Sequence, residues 1–361
     1  MTLCFFNNFL KLAVSFALLL AAASAGAQNS EVNAPPWQRI ELGAQGQRYP
    51  FAIYSNRPWS GDMRSVKSAV LIFHGMGRNA HGYYAAAEKL LRASGTKAGE
   101  TLLIAPHYFA TTDAAALQID GMPQWRGGRW NRGDDAANWP WPLSSFQPID
   151  DLLAALLDPA RFPRLESIVV AGHSAGGQLV HRYAVLNAID EKVRTAGRRL
   201  SYVIANPSSY LYFTNERPKG TGFAVYDVAA CPGYNQYRYG MENLLRYARN
   251  LDVAMLFKRY AAREVAYLLG TADNDPNHAQ LDKDCGAQAG GSQRLERGRN
   301  YIRYERYLAS SNVKLNRRAF EVIDVGHSQA PMLGSKCGAA LVFGMGEEKN
   351  IGGAACRVPP L

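Results

Sequence analysis

Gly172-His173-Ser174-Ala175-Gly176 stands between an apolar β-branched run, Ile168–Ala171, and a helical pattern that starts at Gln178. Strand, sharp turn and helix in that order is the setting of a G-x-S-x-G nucleophile elbow. Such a turn lifts a serine hydroxyl clear of the sheet. Gly172 and Gly176 carry no Cβ, so neighbouring backbone can pass close to it. A helix starting after the turn points unpaired N–H groups at the hydroxyl. A serine so placed can attack a carbonyl carbon once a base takes its proton.

Three other stretches carry groups that this chemistry needs. Ala69–Phe73 is a continuous apolar run, read as a strand buried on both faces, and it ends in His74-Gly75-Met76-Gly77. Glu264–Leu269 reads as a later strand and ends in Gly270-Thr271-Ala272-Asp273, with Asp275 two residues on. Ala319–Val325 reads as the last strand and runs into Gly326-His327-Ser328.

With these motifs the chain resembles the α/β-hydrolase superfamily over most of its length. More loosely it is similar to that superfamily's secreted serine esterases and polyester (polyhydroxyalkanoate) depolymerases. The resemblance implies a mostly parallel central sheet with helices on both faces. It implies Ser174 as nucleophile, Asp273 as acid and His327 as general base, in the chain order of this fold. Asp275 is the alternative acid and His278 the rival base. The HG-x-G segment implies oxyanion donors at the backbone of Met76 (or Gly77) and of Ala175. Gly75, Gly77, Tyr210 and Trp130 are expected to line the substrate. Insertions between late strands cover the site in this superfamily, so residues 208–262, dense in tyrosine, could form a cap. His173 and His181 are read as structural.

The remaining elements must position these groups. Trp37–Leu42 and Gln47–Ser55 alternate around Gly43–Gly46 and predict an edge hairpin. An alanine-rich helix runs to about Ser94. Thr101–Ala105 reads as a strand closed by Pro106, and Ser144-Ser145 as the cap of a helix through Leu157. A helix over Gln178–Ile189 follows the elbow. Leu200–Ala205 reads as a strand, and Gln293–Ser310 as a charged, Tyr-rich helix. Trp125, Trp130, Trp139 and Trp141 fall in one segment, where they form either a platform for substrate or pins for a loop.

Length and composition set the bounds. The 361 residues are 47% hydrophobic, enough for one large domain over 28–361. Residues 1–27 read as an export signal, with apolar Leu12–Ala23 and small Ala25-Gly26-Ala27 before the cleavage point. This predicts a secreted or periplasmic protein with no stable membrane span. Four cysteines then remain, Cys231, Cys285, Cys337 and Cys356, and imply two disulfides. Three pairings exist; Cys231–Cys285 and Cys337–Cys356 are favoured because they join sequence neighbours. The formal charge is +10, or +9 without Lys11. Much of the excess lies between Arg294 and Arg318, read as a solvated helix face.

No H-E-x-x-H or P-loop pattern occurs, and no metal or cofactor is required. Asp273-Asn274-Asp275 begins like a calcium loop, but His278 stands where that loop needs glycine. Asp134-Asp135 lacks a second partner for glycoside hydrolysis. The expected function is hydrolysis of carboxylic esters, small or polymeric, with no nucleic-acid partner; nothing in the pattern bears on oligomeric state. Amide, peptide or acidic-polymer hydrolysis and acyl transfer use the same three residues. A non-catalytic binding protein of the same fold is the reading from another class.

Overall fold

The computed structural model describes residues 37–95, 97–113, 117, 119–309, 313–345 and 353–360. The expected signal segment, 1–27, lies outside the described residues. The strands of the main sheet are β1 (Gln38–Leu42), β2 (Tyr49–Ser55), β3 (Ser68–Phe73), β4 (Thr101–His107), β5 (Ser167–His173), β6 (Arg199–Ala205), β7 (Glu264–Gly270), β8 (Arg317–Val322) and β9 (Cys356–Arg357). Among the described residues their order is β1-β2-β4-β3-β5-β6-β7-β8-β9. From β4 to β8 the neighbours run parallel; β1, β2 and β9 are antiparallel to theirs.

The apolar runs of β3 and β5 follow from burial on both faces. Leu71, Phe73, Ile168 and Val170 face α2 (Gln147–Leu156) and α3 (Ala175–Leu186). Val70, Ile72 and Ala171 face the opposite way, towards α1 (Ala80–Ala93) and a helix near the C-terminus, Lys336–Phe343. This alternation is the period-two geometry of a strand. Each large aliphatic side chain so buried contributes about 1.5–3 kcal/mol.

Several boundaries differ from the sequence reading. β4 continues through Pro106 to His107, because it pairs antiparallel with β2 at that end and Pro106 sits opposite Ile53 near the strand terminus. β8 stops at Val322 and is not the last strand: Cys356 of β9 pairs with Val322. The disulfide Cys337–Cys356 ties this edge down, and Cys231–Cys285 is the second bridge. Ser144 and Ser145 do not cap α2; Ser144 Oγ accepts from Phe146 N at 3.2 Å in the turn before it.

The basic segment is solvated only in part: Arg306, Lys314 and Arg318 are exposed, but others turn inward. Arg294 and Arg297 of the helix Arg294–Ala309 are each 1% exposed, and Arg317 reaches the buried Glu305 at 3.0 Å. A buried guanidinium is tolerated where its donors are met. Arg297 meets this in part: it donates from Nε to Gly291 O at 2.8 Å and from Nη1 to Asp282 O at 2.8 Å, while its buried Nη2 has no partner.

Within 208–262 an antiparallel hairpin, Glu216–Lys219 with Gly222–Val225, is followed by the helix Val253–Ala262. Phe223 packs on Tyr304 and Tyr307, so the hairpin sits on the Arg294–Ala309 helix rather than over Ser174. Among the described residues no helix is long and apolar enough to cross a membrane.

Burial keeps His74, His107, His173 and His181 neutral, pushing their pKa down, to about 3 for His74 and about 4 for His107. In the unfolded chain each takes a proton near pH 6.5. The stability they permit is complete above that pH and is lost as pH falls, at ~1.4 kcal/mol per pH unit each. Asp150 opposes them. Burial raises its carboxyl to about 6, so the fold holds that proton more tightly than the unfolded chain does. Four groups outweigh one. The melting temperature is expected to fall steadily from pH 6.5 to 4.5, and more steeply in Asp150→Asn. A flat profile in a thermal scan over that range would contradict the burial of these rings.

Candidate active site

Ser174 has φ 59° and ψ −120°, a backbone conformation that residues with a side chain rarely adopt. Two close approaches hold it there. A Cβ on Gly172 would lie 2.2 Å from Gly176 O, and one on Gly176 would lie 2.3 Å from Phe73 O. Ser174 N donates to Ala205 O at 2.9 Å, anchoring the turn to β6. Helix α3 starts at Ala175, three residues before the predicted Gln178, so its first unpaired N–H groups flank the hydroxyl.

The turn brings together the residues expected to act. Ser174 Oγ lies 2.8 Å from His327 Nε2, and His327 Nδ1 lies 2.7 Å from Asp273 Oδ2. A carboxylate can only accept, so Nδ1 carries a hydrogen and Nε2 is left to accept from the serine. Asp275 is exposed and accepts from Asn277 N at 2.8 Å, away from His327. The His278 ring stands 5.0 Å from the His327 ring, beside this chain of contacts but outside it. Among the described residues no cluster of His, Cys, Asp or Glu is placed to hold a metal ion.

Two positioning residues escaped the sequence reading. Arg294 Nη1 donates to Asp273 Oδ1 at 3.2 Å, and its Nε to Ser208 Oγ at 2.9 Å. Both oxygens of Asp273 are therefore engaged. Burial pushes the Arg294 guanidinium below its ordinary pKa, and the Asp273 charge opposes that. Asn206, at φ 44°, accepts from Gly270 N at 2.8 Å and donates to Gly326 O at 3.4 Å. One side chain thus ties the end of β6 to the strand before Asp273 and the loop carrying His327. Asn206 had a signal, its place at a strand end before Pro207. Arg294 had none beyond its charge.

The HG-x-G loop is braced from below. Arg78, at φ 55°, donates to Asp113 at 2.6 and 2.8 Å and to Met76 O at 3.0 Å. Neutral His74 accepts from Tyr108 N through Nε2 at 3.1 Å. Trp130 lies 4.4 Å from the His74 ring, fully buried, so it does not line the substrate. Tyr210 does not either: it is 3% exposed and stacks on Tyr301 at 4.5 Å. Trp125 is fully buried and Trp139 packs edge-on against Trp141. Trp125 and Trp130 thus fill space inside the fold, while Trp139 and Trp141 are half-buried, and none of the four lines the compartments at Ser174. His173 bonds Tyr83 OH through Nδ1 at 3.0 Å, and His181 accepts from Leu211 N at 3.0 Å.

Two compartments open on Ser174. One, of about 230 Å³, is lined by Gly75, Gly77, Asn79, Tyr83 and His327. The other, of about 330 Å³, is lined by Ala175, Gln178, Asn131, Arg132, Arg238 and Lys283. Met76, Ser174 and Gln280 border both. Ser208 and Arg238 are what residues 208–262 contribute to this wall. A larger cavity of about 430 Å³ lies at the opposite ends of the strands, at Ser68, Thr101, Ser167 and Arg199, remote from the hydroxyl.

No family model matches the chain, and no curated protein does. Solved structures do. Poly(aspartic acid) hydrolase-1 from Sphingomonas sp. KT-1 aligns at a TM-score of 0.58 and 24% identity, over 86% of this chain and 99% of that one. A poly(3-hydroxybutyrate) depolymerase from Bordetella parapertussis aligns at 0.61 and 20%, over 88% and 94%. The chain has the α/β-hydrolase fold. In this fold the candidate groups all follow the C-terminal ends of parallel strands: Met76 after β3, Ser174 after β5, Asp273 after β7 and His327 after β8.

Removing a partner from a buried ion pair costs about 3–5 kcal/mol. Arg294→Met is therefore expected to lower the melting temperature and to slow labelling of Ser174 by a serine-directed phosphonate at least about tenfold. Asp275→Asn should label at the parental rate. Equal labelling by the parent and Arg294→Met would remove Arg294 from the site.

Proposed function

We propose that this protein is an exported serine hydrolase that cleaves carboxylic esters, bulky or polymeric ones included, through an acyl-enzyme on Ser174. The observation that carries the reading is the unbroken contact from Ser174 Oγ through His327 to Asp273, at 2.8 and 2.7 Å. His327 takes the serine proton through Nε2 as Oγ bonds to the acyl carbon. It then returns that proton to the departing alcohol. Asp273 holds the tautomer and balances the imidazolium charge. The backbone N–H groups of Met76 and Ala175 receive the oxyanion, a donor being worth about 3–4 kcal/mol in such a transition state. Water, deprotonated by His327, then releases the acid and regenerates Ser174.

The two disulfides support export, since such bonds persist in oxidising compartments. A second reading keeps every step and changes the bond cut, to the amide of an acidic polymer. The cationic wall of the larger compartment favours it, and one structural neighbour is named a poly(aspartic acid) hydrolase.

The test is a panel of short and long aryl esters, a polyester film and poly(aspartate). Each is given to the parent, Ser174→Ala, Asp273→Asn and His327→Ala. Ester turnover by the parent is expected, with a loss of at least about 10⁴-fold in Ser174→Ala. Full ester activity in Ser174→Ala would refute the acyl-enzyme. Cleavage of poly(aspartate) alone would select the amide reading.

A further inference from the structure

The compartment bearing Ala175 carries more positive charge than the acyl chemistry uses. Arg132, Arg238 and Lys283 line it against the single carboxylate of Asp282. Arg238 is already engaged, with Asp282 at 3.0 Å and Asp284 at 2.8 Å. Asp134, the other carboxylate near Arg132, pairs with Arg129 at 3.3 Å.

Arg132 is different. It ends the short helical turn Gly127–Arg132, half-buried, and its carbonyl accepts from the Tyr237 hydroxyl. Its guanidinium makes no hydrogen bond or ion pair among the described residues. The more deeply buried arginines nearby each donate hydrogen bonds, although Arg182 Nε has no partner. Arg182 donates to Asn131 O at 2.9 Å and Ser209 Oγ at 3.0 Å, and Arg294 to Asp273. Taking a cation partly out of water without a partner is costly. Burial and the neighbouring Arg238 both disfavour the Arg132 charge. An anionic group entering the compartment would relieve both penalties. Its two oxygens would meet a guanidinium fork suited to bidentate pairing.

The chemistry decides which half of a substrate meets this wall. The leaving group must receive a proton from His327 Nε2, so it lies in the smaller compartment, which His327 lines. The acyl portion then extends past Ala175 into the larger one.

We propose that the larger compartment is a carboxylate-binding subsite for the acyl portion of the substrate, anchored by Arg132. The proposal rests on the acyl-enzyme reading of Ser174. The substrate class is an acyl group bearing a free carboxylate. It is either the monoester of a short diacid or a repeat unit of an acidic polymer.

The test pairs aryl monoesters of a diacid series with their neutral ω-amides, the uncatalysed rate being subtracted. The parent is expected to favour the carboxylate member in kcat/KM by about 10–100-fold, the range of one charge-assisted contact. High salt should shrink that preference. Arg132→Gln is expected to reduce the ratio to near unity, and Arg132→Lys to leave it intermediate. Arg126→Gln removes an equal charge at an exposed position on the same segment and should keep the ratio.

Equal rates on both members in the parent would overturn the subsite, whether or not the variants fold. A ratio unchanged in folded Arg132→Gln would overturn Arg132 as its anchor. Turnover of both members by Ser174→Ala would instead overturn the acyl-enzyme. A further arm offers poly(malate) and poly(aspartate). Rates that rise with chain length and fall in Arg132→Gln support a polymer as the source of the carboxylate, and rates confined to the monoesters support a short diacid.

Discussion

The strained backbone at Ser174 is the constraint on which the remaining geometry depends. Its positive φ is held because Gly172 and Gly176 let the chain double back against Phe73 O. The same contact places β3 directly beside β5, with Phe73 opposite Gly172. The loop after β3 therefore emerges next to the serine, and α3 begins at the residue after it. Ser174, the loop amides and the helix N-terminus are one packing solution rather than three separate placements.

Rigidity around that solution comes from buried polar and aromatic groups. His74 is neutral, accepts from Tyr108 N, and lies against Trp130. Arg78 clamps Met76 O while paired with Asp113. On the other side Asn206 and Arg294 hold the two loops that bring Asp273 and His327 to Ser174. Preorganised donors stabilise charge in a transition state without reorganising at the moment of reaction. A braced loop is the structural condition for that.

Part of the chain's positive charge lies inside the fold. Arg263 meets Glu191 at 3.1 Å, Arg317 meets Glu305, and Arg294 meets Asp273. Net charge alone therefore says little about partners here. The proposal on recognition turns on where a guanidinium stays unmatched, and Arg132 does so in the compartment that Ser174 lines.

Local pattern determined much of this protein. The elbow, the strands before it and after it, the two loops with Asp273 and His327, and the parallel sheet were legible. Their signals lie within a few adjacent residues: apolar runs bounded by glycine, and turns that tolerate no side chain. Of three possible disulfide pairings, closeness in sequence favoured Cys231–Cys285 with Cys337–Cys356, and the fold forms both. Tertiary structure alone decided the rest. The contact of Asp273, favoured from the sequence over Asp275, with His327 is a matter of loop path. Trp130 and Tyr210 look like binding residues by type, yet packing buries them, because large rings fill the space between sheet and loop. Arg294 looks like surface charge, and becomes part of the site because a carboxylate 21 residues away in sequence waits for it in the interior. Contacts between residues distant in sequence leave no periodic trace, so only the folded chain reveals them.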